Sequence, residues 1–405
     1  MVSKRVMLMG ATAAAGLFLA GCVTQQGAGG TADTGAEPTT AGSADPLVIG
    51  IVQAASGFMG PIDTPAREAL MIEVERLNES GGIGGRLLEV EFVDTETNFE
   101  RYAPAAEEVI AKGAEVLIVT CDYDVSSPAS LVAEAKNVLH IAPCAGDPFY
   151  GPAGGFEIGF SMGFGAPAEP HIMAEFSMDR GWTNAVLLRD TTLKYSQNQC
   201  DDFAERFTEL GGTVIAEHNY QQGESVREAV SKIAAGAMPD VIANCGYSPG
   251  GAQVAKELRD GGVESPIVSG FGMDGDFWAG SMPDLTDYYV VTYAAKNGDD
   301  PDTEINDYAA EYEARYGKRP DVGGFVTGPS ALQAVAAAYA KAQSWDGDKL
   351  AAAMESFADE PLLAGPTTFT DDVHISQERP GRVLMISDGK LVFVEERAPQ
   401  SASGA

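Results

Sequence analysis

Short apolar runs rich in β-branched residues alternate with amphipathic runs along most of this chain. The clearest example places apolar residues 115–120 and 138–142 on either side of a helical pattern at 128–136. This pattern predicts a βαβ unit. Loops that leave the carboxyl ends of neighbouring parallel strands face one crevice, where ligands of open α/β sheets bind. The loops at 121–127 and 144–148 are therefore the first candidates for a binding site.

The same alternation continues on both sides of this unit. Hydrophobic periodicity predicts strands at 47–54, 87–93, 185–189, 213–220, 240–244, 266–269, 288–293, 383–386 and 391–394, and helices at 65–79, 102–112, 169–180, 198–210, 226–235, 251–261, 303–316, 328–344 and 349–356. The glycines of residues 151–167 favour a strand or a connector there. Helices that alternate with strands throughout predict an α/β fold with two doubly wound lobes. Helices return after the second run of strands, so the chain must cross between the lobes more than once.

The N-terminal residues predict export and a lipid anchor. Lys4 and Arg5 precede an apolar segment at 6–20, which is too short to span a bilayer and is typical of a signal-peptide core. The segment ends in Leu-Ala-Gly-Cys at 19–22, which resembles the lipobox of bacterial lipoproteins, and this resemblance implies diacylglyceryl modification of Cys22. We therefore expect a signal peptide at 1–22, a flexible tether at 23–46 and an extracytoplasmic protein anchored to the cell membrane. An ordinary secreted protein, cleaved near the same place, is the alternative.

Charge and length exclude several classes of partner. The 405 residues carry a formal net charge of −33, and the resulting negative field would repel nucleic acid and anionic membrane surfaces. No segment after the signal peptide is long and apolar enough to cross a membrane. The bulk of the chain is therefore expected to be a soluble body with an acidic, solvated surface.

Four cysteines remain when Cys22 is set aside. An even number in an oxidising compartment favours disulfides, and four cysteines allow three connectivities. Cys121 and Cys144 each follow a strand of the βαβ unit, and Cys200 and Cys245 occupy a later segment with the same rhythm. We therefore favour the pairs Cys121–Cys144 and Cys200–Cys245. Metal ligation is the alternative, but no pair has close zinc spacing and the histidines are dispersed.

A series of short motifs resembles a known family over about residues 47–394. The motifs are Ser-Gly at 56–57, Asn-Glu-Ser-Gly-Gly-Ile-Gly-Gly-Arg at 78–86, Pro-Ala-Ser at 128–130, Ile-Ala-Pro at 141–143, Asp190, Gly-Tyr at 246–247 and Gly-Pro-Thr-Thr-Phe at 365–369. Their order and spacing are similar to those of the extracytoplasmic solute-binding proteins of bacterial ABC importers, specifically the leucine/isoleucine/valine-binding type.

This resemblance implies two Rossmann-like doubly wound lobes, joined by a multi-crossing hinge of three segments, with the solute trapped in the cleft between them. The first lobe would comprise residues 47–166 and 297–364, and the second lobe residues 167–296 and 365–397. The expected function is capture of a small organic solute, an amino acid or a related carboxylate, and its delivery to an ABC permease. No cofactor and no nucleic-acid partner are expected. No GxxxxGK[ST] loop is present, so a partner must hydrolyse ATP.

Only some of the ligand-binding residues known in this family have a matching residue in this sequence. The serine hydroxyl that holds a ligand carboxylate in amino-acid binders falls on Tyr123, and the next hydroxyl position falls on Gly146. The acid that receives the ligand ammonium falls near Phe271, with Asp274 three residues on. The aromatic residue of the second lobe is retained as Tyr247. The usual clamp for a zwitterion is therefore not visible, and an aromatic acid or an amide is the alternative solute.

The expected binding residues supply apolar burial and a few oriented polar groups. They are Ser56, Phe58, Tyr123, Ala145, Gly146, Lys194, Tyr195, Tyr247, Phe271 and Asp274. Lys194 would hold a carboxylate, and Asp274 or Asp276 an amine.

Two other functions compete with solute transport. Residues 246–250 match the nucleophile-elbow pattern G-x-S-x-G, but Pro249 has no backbone N–H to give to an oxyanion hole, so we expect no enzyme. The same fold also serves as a ligand-sensing receptor lobe. The lipobox and the lack of a transmembrane helix favour a transporter-linked binder, and neighbouring genes for permeases and ATPases would discriminate between the two.

Overall fold

The computed structural model describes residues 45–400. The predicted signal peptide, Cys22 and most of the predicted tether lie outside the described residues. Within the described range, no helix combines the length and the apolarity needed to cross a membrane.

The first part of the chain alternates strands with helices and builds one parallel sheet. Its elements are β1 (Leu47–Gln53), α1 (Gly60–Glu79), β2 (Leu88–Asp94), α2 (Tyr102–Ala111), β3 (Ala114–Val119), α3 (Tyr123–Ala135), β4 (Leu139–Ala142) and β5 (Gly159–Ser161). The strand order is β2-β1-β3-β4-β5, and every pair is parallel. β1 and β3 are buried along almost their whole length, which explains their continuous apolar sequences.

The second part begins a new sheet with the same rhythm. Its elements are α4 (Ala168–Asp179), β6 (Asn184–Asp190), α5 (Lys194–Glu209), β7 (Thr213–Tyr220), α6 (Arg227–Ala235), β8 (Val241–Cys245), α7 (Gly250–Asp260), β9 (Ile267–Ser269) and β10 (Tyr288–Thr292). These five strands are parallel and have the order β10-β9-β8-β6-β7.

The last part serves both sheets. It comprises α8 (Thr303–Tyr316), α9 (Thr327–Ala342), α10 (Gly347–Glu355), the short pair β11 (Glu360–Leu362) and β12 (Gly365–Thr367), and the hairpin β13 (Gly381–Ser387) and β14 (Lys390–Arg397). Helix α8 returns to α1, where Tyr308 Oη donates a hydrogen bond to Ala69 O at 3.0 Å. The hairpin adds antiparallel strands to β10 and completes a seven-stranded sheet.

The α/β prediction with two lobes is confirmed. The five-stranded sheet forms the core of the first lobe, and the seven-stranded sheet forms the core of the second. Three segments connect them, between β5 and α4, between β10 and α8, and between β12 and β13. The carboxyl ends of the parallel strands in both lobes are where the chain turns toward the shared cleft.

Three helices begin earlier than the sequence pattern predicts, and those predicted starts are wrong. α1 begins at Gly60, α3 at Tyr123 and α5 at Lys194, whereas the predicted starts are 65, 128 and 198. In α3 the cause is capping, because Asp122 Oδ1 accepts a hydrogen bond from Val125 N at 2.9 Å. Pro128 resembles a helix start but lies inside the helix. Tyr123, Lys194 and Tyr195 therefore occupy first helical turns, not loops.

Both predicted disulfides are confirmed. Cys121 and Cys144 are bonded at the ends of the neighbouring strands β3 and β4, and Cys200 of α5 is bonded to Cys245 at the end of β8. All four cysteines are buried. One bridge thus fixes the strand ends of each lobe next to the cleft.

Removal of the second bridge is expected to destabilise the protein without changing its fold. The bond closes a loop with a sequence separation of 45, and such cross-links stabilise by about 2–4 kcal/mol. A variant with both Cys200→Ala and Cys245→Ala should therefore unfold at a lower urea concentration than the wild type, with unchanged circular dichroism in water. An unchanged unfolding midpoint would contradict this expectation.

Candidate ligand-binding site

A cavity lies between the lobes at the carboxyl ends of the two sheets. The unfilled space is about 410 Å³ when its opening to solvent is counted, and the part that water-sized spheres can enter is about 40 Å³, so the cleft is narrow in this arrangement of the lobes. The first lobe contributes Phe58, Met59, Ile62, Cys121, Asp122, Cys144 and Gly146, and the second lobe contributes Leu193, Tyr195, Tyr247, Phe271 and Gly272. These residues follow β1, β3 and β4 in one lobe and β6, β8 and β9 in the other. Each lobe alone therefore supplies only half of the site.

Aromatic side chains from both lobes form much of the cavity wall. The rings of Phe58 and Tyr247 meet across the cleft with their centroids 5.6 Å apart. Phe271 packs edge-on against Tyr293, with a centroid separation of 4.7 Å. Such rings offer apolar area and negatively polarised faces to a ligand.

The ring of Tyr195 fits against the opposite lobe because residue 146 has no side chain. A Cβ atom at Gly146 would lie 2.8 Å from Cδ2 of Tyr195, closer than real Cβ contacts allow. On the other side, the backbone N–H of Gly272 donates to Tyr195 Oη at 3.0 Å. The phenol is thus held between the two lobes.

A buried carboxyl group fixes the orientation of Tyr195 from behind. Tyr195 Oη donates to Glu169 Oε1 at 2.8 Å, and the backbone N–H of Phe271 donates to Glu169 Oε2 at 3.2 Å. Gln199 Nε2 is a further donor to the same carboxyl. Burial raises the pKa of Glu169 to about 7, although these donors act in the opposite direction.

Asp122 is an acidic residue of the cavity lining. It is 5% exposed, and its Oδ1 caps α3 through Val125. Burial raises its pKa to about 8, and the neighbouring carboxyl groups of Asp124 and Asp147 act in the same direction. Among the described residues that line the cavity, Asp122 is the only acid and none is basic.

Polar contacts outside the cavity join the lobes along the cleft. The backbone N–H of Lys194, at the first position of α5, donates to Asp124 Oδ2 at 2.7 Å. Asn198 Nδ2 donates to Asp147 Oδ2 at 3.1 Å. Leu193 supplies no side-chain cap for α5, so a carboxylate of the first lobe caps a helix of the second.

Five of the expected binding residues come together at the cavity. They are Phe58, Gly146, Tyr195, Tyr247 and Phe271. All five lie within about five residues of the carboxyl end of a strand, and Tyr195 does so in the first turn of α5.

The other five expected residues lie elsewhere. Ser56 borders a separate, more open depression together with Phe277 and Asp321. The ring of Tyr123 packs against Phe149 and Phe156, with centroids 6.0 and 5.7 Å away.

The remaining three expected residues are Ala145, Lys194 and Asp274. Ala145 O accepts a hydrogen bond from Ser161 Oγ at 2.6 Å, and the side chain of Lys194 is exposed. Asp274 is fully buried and accepts hydrogen bonds from Thr292 and Gly323. None of these three is part of the cavity lining.

Sequence reasoning missed Asp122, Met59, Ile62 and Leu193. An aspartate just before a helix is an ordinary N-cap signal, so its sequence context gave no reason to assign Asp122 to a ligand. The apolar residues carry no distinguishing pattern. The sequence favours Cys121–Cys144 only as a disulfide, and the structure also places both cysteines in the cavity wall.

The hydrolase alternative rests on two residues that lie beside different sheets. Ser248 follows β8, and its backbone N–H donates to Gly272 O at 3.1 Å. His374 stacks on Phe160 of β5 at 3.9 Å and is hydrogen-bonded through Nδ1 to Gly159 O. Within residues 45–400 no group of three or more histidine, cysteine or acidic side chains is placed to hold a metal ion.

The chain resembles curated proteins of known name along most of its length. It is 22% identical over 326 residues to the Leu/Ile/Val-binding protein BraC3 of Rhizobium johnstonii, covering 80% of this chain and 87% of that one. It is also 22% identical over 234 residues to Leu/Ile/Val-binding protein homolog 3 of Brucella melitensis, covering 58% of this chain and 63% of that protein.

Solved structures share the fold. The branched-chain amino acid transporter substrate-binding protein LivJ of Streptococcus pneumoniae, in complex with isoleucine, superposes with a TM-score of 0.78 at 19% identity, over 87% of this chain and 100% of that one. An ABC transporter solute-binding protein from R. palustris, in complex with benzoate, superposes with a TM-score of 0.74 at 22% identity, over 88% and 98%.

A family model described as periplasmic binding protein matches residues 46–390, which include the first sheet, the second sheet except its last strand, the three crossing segments and the cavity between the lobes. The chain therefore belongs to the periplasmic binding protein family, with the two-lobed fold of its type I members.

Proposed function

We propose that this protein captures a small organic solute between its lobes outside the cytoplasm and presents it to an ABC permease. The observation that carries the proposal is the cavity at the strand ends, because its lining comes from both lobes. A ligand that contacts both halves stabilises the arrangement in which they meet. A permease can then distinguish the loaded protein from the empty one by the relative position of the lobes.

Relatives supply the first hypothesis for the solute. Their names describe binders of leucine, isoleucine and valine, and one structural neighbour holds benzoate. An amino acid or a related carboxylate is thus the solute class that relatives favour, and an aromatic acid or an amide is the alternative. The apolar and aromatic lining fits a solute with a sizeable apolar body.

We also propose that Cys22 carries the lipid that keeps the protein at the membrane. The proposal rests on the sequence at 19–22 and on the charged and apolar residues before it. A binding protein tethered in this way stays close to its permease.

A solute that binds in the cleft should raise the melting temperature. At a free concentration of 100 times Kd, a ligand that binds only the folded state adds about 2.7 kcal/mol to its stability. A thermal-shift screen of amino acids, amides and aromatic acids is the direct measurement. If no small solute stabilises the protein while a partner protein does, the transport function is excluded.

Gly146→Ala is expected to weaken solute binding and leave the fold intact. The added methyl group would meet the Tyr195 ring at 2.8 Å across the cleft, so the lobes could no longer approach as closely. Gly280→Ala is the matched control, because a Cβ atom there meets nothing within 4 Å. Calorimetric titration of both variants with a solute found in the screen checks this. Equal affinities for the two variants would contradict the proposed closure.

Cys22→Ala should release the protein from the membrane fraction. Without the thiol no diacylglyceryl group can be attached, so the exported protein would be soluble. Fractionation of cells that produce the wild type or the variant measures this. A variant that stays in the membrane fraction would show that something other than Cys22 anchors the protein.

A further inference from the structure

The cavity has an acid and aromatic rings but no basic group, and this combination narrows the choice of solute. We propose that the solute is a small organic cation, an amine or a quaternary ammonium compound with an apolar body, held by Asp122 and the aromatic walls. The inference rests on the proposed solute-binding function and specifies its substrate class.

The position of Asp122 favours contact with a ligand. It lies between Cys121, which ends the turn after β3, and the first residue of α3, and it lines the cavity. The hydrogen bond from Val125 N to Oδ1 fixes the orientation of the carboxyl group. A carboxylate held in this way by its own helix is preorganised to receive a positive charge.

An anionic solute would find no counter-charge in the lining. The nearest basic side chain in sequence, that of Lys194, is exposed, and its charge acts on Asp147 outside the cavity. The positive end of α3 is the other feature that could attract an anion, and Asp122 already caps it. A carboxylate placed here would therefore be desolvated beside a second acid.

The aromatic walls suit a cation as well as an apolar body. Phe58 and Tyr247 meet across the cleft, and Tyr195 and Phe271 add two further rings from the second lobe. The faces of such rings attract cations, and several rings around one site are the usual recognition device for ammonium groups. The formal net charge of −33 adds a long-range field that draws cations towards the protein.

Binding of a cation should be linked to proton release. The groups that face Asp122 are the carboxyls of Asp124 and Asp147, together with the phenols of Tyr102 and Tyr247. Burial and these acids raise the pKa of Asp122 to about 8, and a bound cation would lower it again. Below that pH the solute must displace a proton, so affinity should rise with pH and level off above about 8.

The test uses solutes with the same apolar body and different charge. Isopentylamine, leucine and 4-methylpentanoate form one series, and tetramethylammonium is added as a quaternary ion. We expect the wild-type protein to bind the amine more tightly than leucine and leucine more tightly than the carboxylate, by calorimetric titration between pH 6 and pH 9. In buffers of different ionisation enthalpy, the amine should release protons at pH 7.

Asp122→Asn tests the residue itself. Asparagine keeps the capping oxygen, so α3 should form normally, while the loss of the charge should weaken amine binding by about 100-fold. Asp346→Asn is the matched control, because Asp346 caps α10 in the same way, accepting a hydrogen bond from Lys349 N, and does not line the cavity. Its amine affinity should equal that of the wild type.

Two results would overturn the inference. The first is tighter binding of the carboxylate or of leucine than of any amine, which would leave the proposed solute-binding function standing. The second is an unchanged amine affinity in Asp122→Asn. If no member of the panel and no other small solute binds, the proposed function fails as well, so the two failures are distinguishable.

Discussion

The two lobes are joined by the segments that cross between them, and Asp274 ties the end of β10 to the loop before α9. Its Oδ2 accepts hydrogen bonds from Thr292 Oγ1 and from the backbone N–H of Gly323, both at 2.6 Å. Thr292 ends β10 in the second lobe, and Gly323 leads into α9 beside the first sheet. Arg379, buried in the third crossing segment, donates to Met162 O in the first. Hydrogen bonds thus tie the first crossing segment to the third, and a separate buried carboxyl ties the second lobe to the segment before α9.

These crossing segments determine which side chains meet in the cleft. Because the crossing segments hold the lobes side by side, the strand ends of the two sheets face each other. Tyr195 of the second lobe then packs against Gly146 of the first. The same approach brings Lys194 N–H to Asp124 and Phe58 to Tyr247. These contacts are modest singly, and each forms only when the lobes meet. A ligand that contacts both walls therefore needs to add only a small free energy of binding to favour the arrangement in which the lobes meet.

Buried acids organise the loops on both sides of the cleft at an electrostatic cost. Asp63 accepts hydrogen bonds from the backbone N–H groups of Ala54 and Cys121, both at 2.9 Å, and so joins the turns after β1 and β3. Glu169 joins Tyr195 to Phe271 in the same way. Burial raises the pKa of Asp63 to about 6 and that of Glu169 to about 7. Because the folded state binds these protons more tightly than the unfolded chain, their contribution to stability is complete below pH 4 and is lost as the pH rises through those values.

The sequence by itself determined the alternation of strands and helices and the two-lobed α/β class, because hydrophobic periodicity is a local property, and it favoured the two disulfide pairs that the structure contains. It also identified five cavity residues, including Tyr247 and Phe271, since residues after parallel strands face the cleft in any such fold. Only the tertiary structure decided the roles of Asp122 and Asp274. Both are acids beside strand ends, yet one lines the cavity and the other ties the second lobe to the segment before α9. The difference depends on which element packs against each carboxyl, and that is set by the approach of distant segments of the chain.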